Sequence, residues 1–285
     1  MIIKYLGTAA AEGIPGVFCN CINCQEARKK KGRFIRTRSQ AILDNHLLVD
    51  FNADTYMHSL LHDINLSEVG HVVITHVHED HYYPIELLNR QIGFCSGLKN
   101  ETLVLHGSQD IVDYAQGIFN TCISDNPNRL QAQRRIDFDC IKPYETREVD
   151  GFEVTALPAT HGTSHPYIYI FKKGDKTLLY FNDSGYLTDE VMSFLKEKNI
   201  KFDMVSYDCT WGKNDAGESA CSHMGVPNNI EARRRFIENG NYKKSTISVI
   251  THFSHNIANV GYDDMLKIAS DNGFVLAYDG MEIEF

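Results

Sequence analysis

The chain has 285 residues, 43% of them hydrophobic and 23% charged, with a formal net charge of −9. This balance suits a globular protein with one large core or two small ones; it excludes a disordered chain and argues against a surface that coats nucleic acid. No stretch approaches the roughly 18 apolar residues of a membrane span, and the run in "MIIKYLGTAAAEG" is too short for a secretion signal, so a cytoplasmic protein is expected.

Taken in chain order, "IIKYL" (2–6) reads as a strand and is followed by "CNCINC", with Cys19, Cys21 and Cys24. In a reducing compartment such a cluster reads as a metal site rather than as disulfides, and a structural zinc asks for a fourth ligand. Strands at 41–44 and 46–50 join through Asp44-Asn45, a hairpin signal, and a helical pattern covers 53–62. The apolar run "HVVIT" (71–75) leads straight into "HVHEDH". Helices at 84–90 and 108–119 flank a strand at 102–106. The polar, weakly periodic stretch 122–140 is expected as an excursion from the core. Strands follow at 152–157, 167–171, 177–181, 204–208, 246–251 and 274–278, with helices at 188–198, 227–239 and 262–272. Strands in hairpins in each half, with helices between and after them, predict a single domain over 1–285 with two packed sheets and helices outside.

The polar residues are placed on this frame by geometry. In an extended segment His76 and His78 point to one side, and Asp80 and His81 follow where the chain turns. Four ligands do not satisfy two cations, and the remainder are expected at other strand ends: His161, Asp183 and His252 each follow an apolar run closely. Any one alone reads as a solvated loop residue; together they predict a site for two divalent cations. His255, three residues after His252, is the expected fourth ligand of the cysteine zinc. Asp208, ending "MVSYD", is expected to orient a ligand imidazole. His46, His58, His62, His71, His106 and His165 have no motif context and are assigned no function.

The His-x-His-x-Asp-His run, with His161, Asp183 and His252 in order behind it, resembles the metallo-β-lactamase superfamily over nearly the whole chain. The resemblance implies an α/β fold, an αββα sandwich of two mixed sheets. It also implies His76, His78 and His161 on one cation, Asp80, His81 and His252 on the other, and Asp183 bridging. Aspartates at positions 80 and 183 make the chain similar to the phosphodiesterase and hydrolase branches rather than to the antibiotic-degrading enzymes. Pro84 stands where many members have glycine. With the cysteine cluster (19–24), "THFSH" and the terminal "DGMEI", the chain looks like the family of phosphoribosyl cyclic phosphate phosphodiesterases.

That likeness implies hydrolysis of a small cyclic phosphodiester, 5-phosphoribosyl 1,2-cyclic phosphate, to ribose 1,5-bisphosphate by a metal-bridging hydroxide. It implies two active-site cations (manganese or zinc, or else nickel or iron), one structural zinc and a homodimer; the acidic, span-free composition leaves a membrane or a nucleic acid unexpected as a partner. Asp80 would serve catalysis as a cation ligand. His223, in "CSHMG", matches the family's catalytic histidine and would protonate the leaving alkoxide. The polar segment 210–222 before it is expected to set specificity. Other readings of the same ligands stay open: a 2′,3′-cyclic nucleotide phosphodiesterase, a lactonase, a tRNA 3′-processing nuclease, and a metal-binding accessory protein without turnover.

Overall fold

The computed structural model describes residues 1–126, 129–217, 221–256 and 260–285. The first half lays down β1 (Ile2–Gly7), β2 (Gln40–Leu43), β3 (Leu47–Val49), β4 (His71–Val73), β5 (Leu103–Gly107) and β6 (Ile136–Cys140). The second half lays down β7 (Thr146–Val149), β8 (Phe152–Pro158), β9 (Tyr167–Lys173), β10 (Lys176–Phe181), β11 (Phe202–Asp208), β12 (Tyr242–Thr251) and β13 (Val275–Leu276). The final strand, β14 (Glu282–Glu284), returns to pair with β1. Two seven-stranded sheets result, ordered β14-β1-β2-β3-β4-β5-β6 and β13-β12-β11-β10-β9-β8-β7. Asp44 and Asn45, with φ of 46° and 63°, make the left-handed tight turn of the three-residue connection between Leu43 and Leu47, closed by the His46 N–H on the Leu43 carbonyl at 3.0 Å.

Side-chain alternation explains why the strands are apolar on both faces. Leu47 and Val49 point between the sheets, where Phe152, Tyr169, Phe171 and Leu178 meet them, while Leu48 points outward. In the second sheet Leu178 and Tyr180 face inward and Leu179 and Phe181 outward. The outer faces are covered by helices: the helix Gln109–Asp125 supplies Ile111, Ala115 and Phe119 to the first sheet. For the second sheet, the helices Asp189–Glu197, Val226–Glu238 and Tyr262–Asp271 supply Val191, Leu195, Phe236, Met265 and Ala269. This is the αββα sandwich expected from the motifs. Among the described residues no helix is long and apolar enough to cross a membrane.

Two local expectations are corrected, and one helix is added. The stretch 122–140, of which 127–128 lie outside the described residues, is no excursion: it completes the helix Gln109–Asp125, forms a short helix over Leu130–Gln133 and ends in β6, which pairs parallel with β5. Its polar look comes from the edge position of β6, whose burial alternates weakly. The 84–90 segment is a 3-10 helix rather than an α-helix, opening on Pro84. A further helix, Ile22–Lys30, has no apolar stripe to announce it; it buries Asn23, Cys24 and Ala27 beneath a run of basic residues.

Candidate metal centre

Because β3 and β4 are parallel, and β8, β10, β11 and β12 run in one direction, their C-terminal ends gather along one edge of the sandwich. The expected site residues leave from those ends. His76, His78, His161 and Asp183 offer ligand atoms that all lie within 4.8 Å of one another, and so do Asp80, His81, Asp183 and His252. Asp183 belongs to both sets. Its Oδ2 lies 3.0 Å from His76 Nε2, 3.2 Å from His81 Nε2, 3.4 Å from His161 Nε2 and 3.9 Å from His252 Nε2. Asp80 Oδ2 lies 3.4 Å from His81 Nε2 and 3.7 Å from His252 Nε2.

Imidazole nitrogens also converge, His78 Nδ1 standing 3.0 Å from His76 Nε2 and 3.1 Å from His161 Nε2. Asp183 Oδ1 is buried and makes no well-directed hydrogen bond, although His223 Nδ1 lies 2.9 Å away. Buried lone pairs facing one another without enough donors are the donor set a divalent cation satisfies. Asp183 and His252 hold this arrangement with φ of 52° and 63°, left-handed conformations that cost non-glycine residues energy and concentrate at functional sites.

Carboxylates behind the cluster fix the rings. Asp208 Oδ2 is 3.2 Å from both His252 Nδ1 and His223 Nδ1, while its Oδ1 accepts from the Met224 N–H at 2.7 Å. Asp50, absent from the sequence reading, stands 2.7 Å from His81 Nδ1 and accepts from both the N–H and the hydroxyl of Thr75. It ends the apolar run "HLLVD" just as Asp208 ends "MVSYD", so the signal was available. Ser222 Oγ, 3.0 Å from His161 Nδ1, and Thr210 Oγ1, 2.8 Å from His252 Nδ1, were also missed as individual residues. Each leaves the far nitrogen of its imidazole free to bind a cation. Of the loop expected to set specificity, residues 218–220 lie outside the described residues. Gly225 closes that loop: a Cβ there would stand 1.9 Å from the Asn214 carbonyl oxygen.

The electrostatics follow from this crowding. Burial would raise Asp183, but His252, His223, His76 and His81 hold it well below the usual carboxylate range. Burial favours neutral His81, and Asp80 with Asp50 reverses that, raising it well above the ordinary histidine value. His161 is pulled down to about 4 by burial. His223 is depressed by burial yet carried up to about 10 by its contacts with Asp183 and Asp208.

At the same edge, Cys19, Cys21, Cys24 and His255 bring four ligand atoms within 4.8 Å of one another. His255 Nδ1 lies 3.5 Å from Cys19 Sγ and 3.6 Å from Cys21 Sγ. The helix Ile22–Lys30 starts here, with Cys21 as its N-cap. Burial opposes the Cys21 thiolate, but the Cys24 N–H and neighbouring side chains outweigh it and lower the thiol to about 7. A thiolate at a helix N-terminus is the ligand zinc prefers.

With both clusters placed, comparison with known proteins identifies the family. The model of the anti-Pycsar protein Apyc1 matches residues 39–227 of the 285. The chain belongs to this family. The match takes in the His-x-His-x-Asp-His run, His161, Asp183 and His223, and stops short of the cysteine cluster, His252 and His255. No protein of curated function matches the chain. Among solved structures, a new diphosphatase from the PhnP family is 19% identical with a TM-score of 0.73, the alignment covering 100% of this chain and 96% of that one. Zn²⁺-bound PqqB from Methylobacterium extorquens is 19% identical with a TM-score of 0.72, each chain covered over 100%. The metallo-β-lactamase fold protein YhfI from Bacillus subtilis is 19% identical with a TM-score of 0.69, over 100% of this chain and 99% of that one. At these identities the likeness shows the fold: this Apyc1-family chain has the metallo-β-lactamase fold that its motifs imply.

Proposed function

We propose that the chain is a metal-dependent phosphodiesterase that hydrolyses a small cyclic phosphodiester. The observation that carries this is Asp183 Oδ2, shared by two sets of converging ligands drawn from both sheets. His76, His78 and His161 would hold one cation, Asp80, His81 and His252 the other, with Asp183 between them. Cys19, Cys21, Cys24 and His255 would hold a structural zinc. Divalent cations bound in the first cluster supply Lewis-acid charge to a phosphoryl group and acidify water. The protein's own part is to keep the ligand rings oriented through Asp50 and Asp208, and to offer a proton. His223 turns Nδ1 toward Asp183 and Asp208, and no described residue bonds its Nε2. Held cationic by those carboxylates, it can donate from Nε2 to the alkoxide as the P–O bond of the ring breaks.

Among cyclic phosphodiesters, the family match favours a cyclic nucleotide, because the Apyc1 family is cyclic-nucleotide-related. The ribosyl 1,2-cyclic phosphate suggested by the motifs is the second reading, supported by likeness to the PhnP-family diphosphatase. An assay of purified, metal-loaded protein on a cyclic nucleotide, 5-phosphoribosyl 1,2-cyclic phosphate and an aryl phosphodiester tests both. Turnover of the cyclic nucleotide above the ribosyl substrate is expected; inertness toward all three overturns the proposal. The homodimer is part of the same proposal, and sedimentation in solution checks it.

A further inference from the structure

Away from both clusters, the helical layer over the first sheet leaves a gap. Leu48 of β3, Val72 of β4 and Leu103 of β5, side chains on the outer face of that sheet, line a cavity of about 490 Å³. Its walls come from the start of the helix Thr55–Leu61, from the 3-10 helix Pro84–Arg90 and from the loop 94–98. Tyr56 and Phe94 belong to the lining and are 64% and 68% exposed, so the cavity is open to solvent. A volume of this size, with apolar walls and few polar groups, is the make-up of a small-molecule site.

One of those polar groups is a buried cation without a counter-ion. Arg90 is 9% exposed and lines the cavity. Its Nη2 donates to the carbonyl oxygens of Asn100 and Glu101 at 2.5 and 3.1 Å, its Nε is buried with no hydrogen-bond partner, and its Nη1 has none among the described residues. Glu101 turns its carboxylate to Arg135 instead, at 3.5 Å, and no other carboxylate of the described residues lies within ion-pair distance of Arg90. Burying a charge without an opposite one is costly, and burial accordingly pulls Arg90 below the usual arginine value. An anion that entered the cavity would supply the missing partner through a charge-assisted hydrogen bond.

The remaining charge orients such a ligand. Glu86 is the one acid among the described residues of the lining; it has no partner there, and burial pushes its carboxyl up. Negative charge is disfavoured on that side, so an anionic head is directed to Arg90 and an apolar body to Leu48, Val72 and Leu103.

We propose that this cavity is a binding site for a small amphipathic carboxylate, its apolar chain laid on the outer face of the first sheet and its head paired with Arg90. The proposal stands apart from the phosphodiesterase reading, because no residue of the cation cluster lines the cavity.

Calorimetric titration of the metal-loaded protein with octanoate, and with octanol as its uncharged counterpart, tests this. Octanoate should saturate at one molecule per chain and bind roughly 10- to 100-fold more tightly than octanol. Arg90→Gln should erase that preference while octanol still binds, a result that also shows the cavity intact in the variant. Ser96→Trp, an exposed position of the lining that a large ring would fill, should abolish both heats without disturbing the core. Equal affinity for the two ligands overturns the site, and so does octanoate binding that persists in Ser96→Trp, which would place the carboxylate on the cations. Sedimentation of the same samples supplies the last arm: self-association that excludes octanoate as protein concentration rises would assign the cavity to a second copy of the chain and overturn the proposal.

Discussion

The histidine–aspartate cluster gathers ligands from the ends of β4, β8, β10 and β12, in both sheets, and buries nearly all of them; the cysteine cluster takes three of its four ligands from one short stretch at a helix start and remains half-buried. The first can exist only once both sheets have docked, and its rings are held from behind by Asp50 and Asp208. With the zinc proposed above in place, the second would tie an N-terminal loop and helix to His255, 231 positions beyond Cys24 in the sequence, and so contribute to folding itself. On the proposed reading one cluster is a product of the fold and the other a staple of it, and substitutions in them should break different properties.

The largest effect is expected at the first cluster. Asp80→Ala removes a cation ligand and should reduce phosphodiester hydrolysis by on the order of 10³-fold or more, with circular dichroism and melting close to wild type. Loss of the fold instead would mean that this cluster, too, is a staple. His223→Ala should keep both cations and cost roughly 10²- to 10⁴-fold on a substrate with a poor sugar leaving group, and far less on an aryl diester whose phenolate departs unaided. Equal losses on both substrates would remove the acid role. Cys21→Ser should invert the pattern. A loss of about 3 kcal/mol would lower Tm by roughly 6–12 °C while turnover per folded molecule changes little. An unchanged Tm with lost turnover would place the cysteines in catalysis.

The smallest effect lies away from both clusters, at His58 in the helix Thr55–Leu61, where Nδ1 meets Gln40 Oε1 at 2.5 Å and Nε2 meets Thr37 Oγ1 at 2.7 Å. Burial lowers this histidine to about 4, with nearby Asp54 opposing and His62 adding to the shift. Its unfolded form binds a proton more readily, so stability is full above pH 6.5 and falls as pH drops toward 4, by about 3 kcal/mol at most. Denaturant melts of wild type and His58→Gln across that window should show the steeper decline in the wild type; parallel declines would contradict the burial argument.

Much of this was legible in the sequence because both signals are local. Apolar runs with hairpin turns mark the strands of the two sheets, and a dense His-x-His-x-Asp-His run at a strand end marks half a cation site. Strands such as β6, β7 and β14 lie at or near sheet edges, where one face is open and alternation fades, so their residues read as loop. The helix Ile22–Lys30 faces the core with Cys24 and Ala27 rather than with large apolar residues, and so shows no stripe. Around the site, Ser222 and Thr210 act only through rings that reach them from distant segments, a proximity that spacing along the chain does not encode. Asp50 carries the same signal as Asp208, a carboxylate at the end of an apolar strand run.

The central claim, that two cations held between the sheets carry out the hydrolysis, is tested most directly by stripping the protein of metal and restoring it stepwise. Metal content and hydrolysis of a cyclic nucleotide would be measured on the same samples. With the cysteine site filled by zinc, activity should stay near background through the first added equivalent of manganese and reach its plateau as the second is retained, giving about three metals per chain. Full activity with a single metal per chain, or after complete removal, would contradict the account.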